Sequence, residues 1–312
     1  MPKFVKAILI FSLIFIASLQ ITTEECHYLE YEKGKEILNL RGYAPWQYRF
    51  LPYFIYIKLS ELLLFLPPMT FKRALMTSWS IINFVSMSIG IYFLIKIFDK
   101  KNARYVTIFS IMLVALISKG HQSLLIYDSM VFPFIMASFY FIKKGNYKMP
   151  FLLAPLAVFF KESSGIIPLI YFLKLRSKGV SFIKSFLKSM SIFLVWLLPF
   201  LSIRFLMPAN NPPIVEYTGY SWNILNFTHG GFGLGWFSIL AFVFYAVPMF
   251  VLLIISMKFP LEKFQSDYKY MIIIYIIFMF AMGAPSEIRL FLPLLPFMIP
   301  NFKRLFKIDG KK

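Results

Sequence analysis

The chain contains few charged residues and almost no cysteine for its length. Charged residues make up 15% of the 312 residues, whereas a soluble globular domain usually carries about a quarter. The single cysteine, Cys26, excludes an internal disulfide. Acids are the scarcest charged residues, since 14 Asp and Glu stand against 33 Lys and Arg. The shortage of charge excludes an ordinary soluble globular domain.

Hydrophobic residues are what the chain has in excess, at 59%. They form continuous runs such as MIIIYIIFMFAMG, and about 20 apolar residues in a helix cross a bilayer core. Backbone groups in lipid must be satisfied within the spanning structure, and continuous runs favour helices over the alternating strands of a barrel. We therefore predict an all-α, polytopic membrane protein in which residues 1–312 form a single transmembrane domain without internal repeats.

About ten transmembrane helices are predicted. The first covers about 5–21, follows Lys3 and Lys6, and is expected to stay in the membrane with a cytoplasmic N-terminus. The other nine are expected at 75–97, 105–118, 124–142, 150–160, 164–175, 189–207, 236–257, 270–284 and 287–301. The segment 50–66 is also long enough to cross, but it carries Lys58 and Glu61.

The distribution of basic residues decides how 50–66 is interpreted. If this segment lies on the outer face, 22 of 33 Lys and Arg and four acids face the cytoplasm, against 11 and ten outside. The positive-inside rule favours that arrangement. It predicts an outer-face interfacial helix at 50–66, and it places both termini on the cytoplasmic side of a cytoplasmic or equivalent membrane. Lys58 and Glu61, three residues apart, are expected to pair.

Polar or short segments interrupt the predicted spans. The first outer loop, with its juxtamembrane helices, is expected over about 22–74, and a second outer loop over about 208–235. Segments 150–160 and 164–175 are too short to cross alone, so we predict a helical hairpin with its turn at 161–165 in the outer half of the bilayer.

An amphipathic helix on the inner surface is predicted at 179–188, ahead of the span at 189–207. Its Phe, Ile and Leu residues alternate with two lysines, which suits a helix that lies in the membrane interface. This helix is interpreted as structural.

The densest polar stretch begins at residue 22, and five of the 14 acids fall between Glu24 and Glu36. Thr22 and Glu25 have the spacing of a helix capping box, and acids in a first turn suit the helix dipole. The alternative is catalytic, because a partly desolvated carboxylate has a raised pKa and serves as a general base. One helix accommodates both, with Glu25 as cap and Glu24 as base. No metal or cofactor is predicted.

Several basic residues are expected at or near the outer face. They are Arg49, Lys58, Lys72, Arg73, Lys161, Arg204 and Arg289. Ionisable residues at membrane depth are costly and are candidates for function. A phosphate or pyrophosphate headgroup needs such cations, and arginine offers two-point contact. The alternative, left open here, is that they anchor the chain at the interface or pair with Glu61, Asp128, Glu162 and Glu287.

Four short motifs together resemble a known family. They are Glu24-Glu25-Cys26-His27-Tyr28 after the first span, Trp46 to Pro52 in the first outer loop, Lys161-Glu162 in the hairpin, and Ser286 to Pro293 near the last span. In these features the chain resembles the glycosyltransferase-C superfamily, which includes the aminoarabinose transferase of lipid A and the protein O-mannosyltransferases. Members commonly have Asp-Glu-x-x-Tyr, where this chain has Glu24 in place of the aspartate.

The resemblance implies a membrane glycosyltransferase at the extracytoplasmic face. Its donor would be a polyprenyl-phosphate-linked sugar that enters from the membrane lipids, and its acceptor a glycan, lipid or protein. No nucleic-acid partner is implied. Glu24, with Glu25 as the other candidate, would be catalytic. The substrate-binding candidates are Tyr28, Arg49, Lys58, Lys161, Glu162, Glu287 and Arg289.

Two other functions stay open. A polysaccharide polymerase that uses lipid-pyrophosphate-linked glycans would need similar cations but not the early acidic pair. A flippase or transporter of lipid-linked sugars would carry out no chemistry, and such folds often contain internal repeats.

Overall fold

The computed structural model describes residues 24–41, 49–98, 107, 108, 110, 126–206, 247–260, 263–282 and 288–305. Side chains are described in these ranges except at 24–27, 263–264, 278–282, 288–290 and 302–305. Regular structure in the described ranges is helical, without a strand, which confirms the all-α class for this part of the chain. The predicted first helix, most of the predicted span 105–118 and the outer loop 208–235 lie outside the described residues.

The contacts divide the chain into two compact units. The first is Met1–Pro168 with Phe186–Asn211, and the second is Leu169–Ser185 with Pro212–Lys312. The first unit contains α1 (Glu24–Leu38), α2 (Phe50–Leu64), α3 (Phe71–Ile97), α4 (Ile126–Lys143), α5 (Lys148–Val158), a 3-10 turn (Glu162–Gly165), the start of α6 (Ile166–Ser177) and most of α7 (Phe182–Leu206).

Helices α1 to α4 form the core of the first unit. Helix α3 packs most extensively against α4, and it also contacts α1 and α2. The core is aromatic, since Tyr31, Tyr53, Tyr56, Trp79 and Tyr127 are all buried. The rings of Tyr56 and Trp79 meet edge to face with centroids 5.3 Å apart, a favoured geometry for aromatic pairs.

Helix α2 corresponds to the predicted interfacial segment 50–66, which the distribution of basic residues placed on the outer face. It buries Tyr53, Tyr56 and Ser60 at spacings of three and four residues, and the Ser60 hydroxyl hydrogen bonds that of Ser78 at 2.9 Å. Lys58 is exposed and pairs with Glu61 at 2.7 Å, as predicted. The helix thus has one packed face and one face that carries an ion pair, while its location at the outer face stays a prediction.

Close packing of α3 on α4 depends on a glycine. A Cβ atom at Gly90 would lie 2.1 Å from Cδ1 of Phe132, which no real side chain tolerates. Small residues of this kind let two helix backbones approach each other.

Over the predicted hairpin at 150–175, the structure has two short helices, α5 and α6, joined by the 3-10 turn, while their pairing as a hairpin stays a prediction. Pro155 lies inside α5. At the end of α5, the Phe160 N–H donates to the Ala157 carbonyl at 3.1 Å, a 3-10 type hydrogen bond that spans three residues. The turn then packs on α7, where the Trp196 indole N–H donates to Ser164 Oγ at 2.9 Å.

Two helices in the described ranges are long and apolar enough to cross a membrane, α3 and α7. They match the predicted spans 75–97 and 189–207 and support association with a membrane, whereas the count of about ten spans stays a prediction. Each leaves an apolar stripe exposed at helical spacing: Val85, Ile89 and Tyr92 on α3, and Leu194, Leu198, Leu201 and Phe205 on α7.

The surface helix predicted at 179–188 is not a separate element. Gly179 has a positive φ of 79° and ends the preceding segment, but from Phe182 onward one helix runs on to Leu206. Residues 182–194 contain neither glycine nor proline, so nothing breaks the helix between its amphipathic start and its apolar remainder.

The second unit contains α8 (Val247–Lys258), α9 (Lys263–Asp267), α10 (Lys269–Met282), a 3-10 segment (Ile288–Leu294) and α11 (Leu295–Leu305), together with the end of α6 and the start of α7. Helix α8 packs against α10 and α11. The buried amide of Gln265 donates to the Ser256 hydroxyl at 2.8 Å and to the Phe297 carbonyl at 2.9 Å. The predicted span 287–301 differs in form, because its first half is a 3-10 segment that contains Pro293.

Candidate functional site

Four charged side chains from separate parts of the first unit meet in its interior. Arg49, Asp128, Lys161 and Glu162 form what we call the ion cluster. The side chains of Arg49, Lys161 and Asp128 are only 9%, 11% and 4% exposed, while that of Glu162 is 28% exposed. Charges at this depth are kept in a protein only when they are paired or bind a ligand.

Local structure explains how the cluster is assembled. Arg49 directly precedes α2, Asp128 lies in the first turn of α4, and Lys161 and Glu162 open the turn between α5 and α6. Lys161 is extended, with φ −164° and ψ 141°. Its carbonyl accepts from Ser164 N–H at 3.1 Å, which closes the turn.

The cluster consists of two ion pairs. Arg49 holds Glu162 with two hydrogen bonds, one from Nε to Oε2 at 3.0 Å and one from Nη2 to Oε1. This fork-to-fork geometry is the strong form of a charge-assisted hydrogen bond. The Lys161 ammonium donates to Asp128 Oδ1. The four charges sum to zero.

One aromatic ring lies against both cations. The guanidinium carbon of Arg49 is 4.4 Å from the centroid of the Tyr127 ring, and Lys161 Nζ is 5.2 Å from it. Both distances fall within the range of cation–π attraction, so a single ring contacts both cations of the cluster. Arginine and lysine are the side chains that bind phosphate groups in proteins, arginine through two parallel hydrogen bonds and lysine as a point charge.

The electrostatics of the Arg49–Glu162 pair favour the ionised state of both groups. Burial alone would raise the pKa of Glu162, but the charge of Arg49, its hydrogen bonds and the charge of Lys161 outweigh burial and hold the pKa at about 2. Burial alone would lower the pKa of Arg49, yet the Glu162 charge raises it above its ordinary value. At neutral pH the pair is therefore fully ionised.

A hydrogen bond ties α1 to the neighbourhood of the cluster. The Tyr53 hydroxyl donates to Glu30 of α1 at 2.7 Å, and the Tyr53 and Tyr127 rings lie with centroids 6.5 Å apart. Glu24 lies six residues before Glu30 in the same helix, which corresponds to about 9 Å along the helix axis. Glu24 and Glu25 thus lie less than two helical turns from Glu30, the residue of α1 that accepts the hydrogen bond from Tyr53.

The structure brings together only some of the predicted site residues. Arg49, Lys161 and Glu162 meet in the cluster. Tyr28 of α1 is 52% exposed, and Lys58 is exposed and engaged with Glu61. Neither residue belongs to the cluster.

The remaining predicted residues are described only in part. Glu24 and Glu25 are the first two residues of α1, and Arg289 lies in the 3-10 segment, but their side chains fall outside the description. Glu287 lies outside the described residues. Their roles stay predictions.

The sequence interpretation considered Asp128 only as a possible ion-pair partner and missed Glu30, Tyr53 and Tyr127. A signal for Asp128 existed, because an acid near the start of a predicted span is costly unless it is paired. The tyrosines gave no such signal among 18 in the chain. In the described ranges no three His, Cys, Asp or Glu side chains converge as a metal site would need.

Comparisons with known proteins add nothing to this site. No protein-family model, curated protein or solved structure matches the chain.

Proposed function

We propose that this protein is a multi-pass membrane glycosyltransferase that moves a sugar from a polyprenyl phosphate to an acceptor at the extracytoplasmic face. The observation that carries the proposal is the ion cluster, in which Arg49 and Lys161 contact the same Tyr127 ring inside an apolar helical unit. The motif resemblance to the glycosyltransferase-C superfamily and the exposed apolar stripes of α3 and α7 give further support.

In this proposal, the two cations of the cluster hold the phosphate of the donor. Breaking the bond from the sugar to the phosphate leaves negative charge on the phosphate oxygens. Fixed cations placed where this charge develops stabilise the transition state without reorganisation. The same contacts orient the donor relative to the acceptor hydroxyl.

Glu24 is proposed as the general base that takes the proton of the acceptor hydroxyl, with Glu25 as the capping residue of α1. The hydrogen bond from Tyr53 to Glu30 supports this arrangement, because it anchors α1 against α2 at 2.7 Å. A base has to be held in place to act, and an anchored helix meets that requirement.

Sugar transfer from polyprenyl-phosphate-linked donors to candidate acceptors, measured with purified protein in detergent, tests the proposal. Glu24→Gln keeps size and polarity but removes the proton acceptor, so we expect transfer to fall by about two to four orders of magnitude. Glu25→Gln is the matched control, because glutamine also serves in a capping box. It should cost less activity than the Glu24 change.

A conservative variant of Glu24 and assays for the two alternative functions complete the test. Glu24→Asp restores the residue common in the resembled family with a shorter reach, and we expect partial activity. Near wild-type transfer by folded Glu24→Gln protein would contradict the role of base. No transfer with any monophosphate donor, together with movement of lipid-linked sugar or turnover of a pyrophosphate-linked glycan, would favour the transporter or the polymerase instead.

A further inference from the structure

We propose that Glu162 is a resident substitute for the phosphate, and that it leaves Arg49 when a lipid phosphate binds and returns when the product departs. This inference rests on the proposed function, because it assumes a phosphate ligand for the cluster. The motivating contact is the bidentate pair, in which Glu162 occupies both donors, Nε and Nη2, that a phosphate would use.

The geometry makes Glu162 the exchangeable member of the cluster. Its side chain is 28% exposed, against 4% for Asp128. It opens a four-residue 3-10 turn, whereas Asp128 belongs to an 18-residue helix packed on α3. A carboxylate at a partly exposed turn can rotate outward without repacking a helix. Asp128 has no comparable path, so it stays with Lys161.

Charge balance favours the exchange. With Glu162 in place the cluster is neutral, and with Glu162 withdrawn its net charge is +1 from Arg49, Lys161 and Asp128. A donor phosphodiester with one negative charge restores neutrality. The product monoester carries a charge of about −1.5 to −2 at neutral pH, which is larger in magnitude than the +1 charge of the cluster without Glu162. The returning carboxylate of Glu162 therefore competes with the product and promotes its release.

Arg49 is suited to exchange because both partners use the same donors. Its planar fork matches carboxylate and phosphate equally well, and it stays charged throughout. The Tyr127 ring, 4.4 Å from the guanidinium carbon, keeps Arg49 in place while the anion changes.

The test measures the dissociation constant of farnesyl phosphate for the purified full-length protein in detergent. Glu162→Gln removes the competing charge, so we expect the dissociation constant to fall about tenfold or more relative to the wild type. Glu32→Gln is the matched control, because Glu32 pairs with Lys35 at 3.6 Å on the exposed side of α1. It makes the same chemical change away from the cluster and should leave the value unchanged.

Inorganic phosphate, titrated in parallel, separates a lipid headgroup from a free anion. A larger gain with farnesyl phosphate assigns the exchange to a lipid phosphate. An equal gain with both probes supports the exchange and assigns it to the phosphate group alone.

Different results would overturn the exchange of Glu162 and the phosphate site itself. The exchange is overturned, but the phosphate site stands, under one pair of results. The dissociation constant of Glu162→Gln is unchanged or raised relative to the wild type, and the Arg49→Ala protein no longer binds farnesyl phosphate. Absence of binding to wild type and variant alike, together with no sugar transfer, overturns both. If the Glu162→Gln protein does not fold, the same dissociation constant is measured for Glu162→Asp, whose shorter side chain cannot keep both hydrogen bonds to Arg49. A lowered dissociation constant supports the exchange there, and an unchanged or raised one overturns it.

Discussion

Glu162 stays ionised because Arg49 lies against it, although much of its surface is removed from water. Its pKa of about 2 compares with an ordinary value of 4.5. A group whose pKa is lower in the folded than in the unfolded protein stabilises the fold when it is ionised. That contribution is complete above the unfolded pKa and disappears as the pH falls through the folded one.

We expect the stability difference between wild type and Glu162→Gln to depend on pH accordingly. The wild type should unfold at a higher temperature at neutral pH, because the variant leaves Arg49 buried without its carboxylate. The difference should stay constant down to about pH 5 and shrink as the pH falls from about 4.5 toward 2. Thermal unfolding in detergent across this range measures it.

The control for this pH dependence is Glu32→Gln, whose exposed pair with Lys35 is screened by water and should contribute little. An equal difference between wild type and Glu162→Gln at pH 3 and at pH 7 would show that the ion pair is not its source.

At the scale of residues, the sequence identified Arg49 and Lys161 as candidates through the cost of placing charge at membrane depth, and Glu162 through the motif resemblance. It left open whether Arg49 and Lys161 bind a phosphate or pair with acids. The structure shows the pairs. A sequence could not have selected them, because Arg49 and Glu162 are 113 positions apart and no spacing rule connects them.

At the scale of elements, the contact between α3 and α4 is the most extensive in the first unit. It depends on Gly90, where a Cβ atom would lie 2.1 Å from the Phe132 ring. The ring cannot move freely, since Phe132 is 1% exposed. The helix pair therefore tolerates no added atom at this position without a shift of one helix.

Gly90→Ala should destabilise the protein by about 1–3 kcal/mol, the usual cost of overpacking a filled interior. Unfolding of the purified protein in detergent measures the change. Phe132→Leu should also destabilise, but the double variant should lose less than the sum of the two, because the smaller side chain makes room for the methyl group.

Strict additivity of the two changes would contradict the direct contact between Gly90 and Phe132. A comparison variant is Ile89→Ala on the same turn, where the side chain is 45% exposed. It should cost less than Gly90→Ala, because it removes atoms from an open face rather than adding one to a filled interior.

The elements themselves followed largely from the sequence. Runs of apolar residues predicted α3, α4, α5 and α6, with ends within a few residues of those observed. The two differences have local causes. A helix continued through 182–194 because no breaker interrupts it, and a predicted span became partly 3-10 around Pro293.

At the scale of the whole molecule, the number of membrane crossings remains a prediction. Helices α3 and α7 are long enough to cross, and the bias of 22 basic residues inside against 11 outside supports ten spans with 50–66 on the outer face. Making 50–66 a span would reverse the side of every later loop.

Cysteine labelling in intact cells distinguishes the two topologies. In a background that carries Cys26→Ser, a cysteine placed at Asn39 should react with an impermeant thiol reagent, because the residue is exposed just after α1. A cysteine placed at Lys101 should react only after the cells are permeabilised. Labelling at Lys101 in sealed cells would overturn both the ten-helix count and the interfacial location of 50–66.

The sequence by itself predicted the helical class, which the described residues confirm, and association with a membrane, which the two long apolar helices support. Both followed because run length and hydropathy are local properties that sum along the chain. It also selected the polar residues worth testing. Only the tertiary structure decided which charges meet. Lys161 and Asp128, 33 positions apart, and Arg49 and Glu162 are joined because packing brings α2, α4 and the hairpin turn together. The energy of a buried ion pair depends on distance and burial, and neither quantity is encoded in the spacing of residues along the chain.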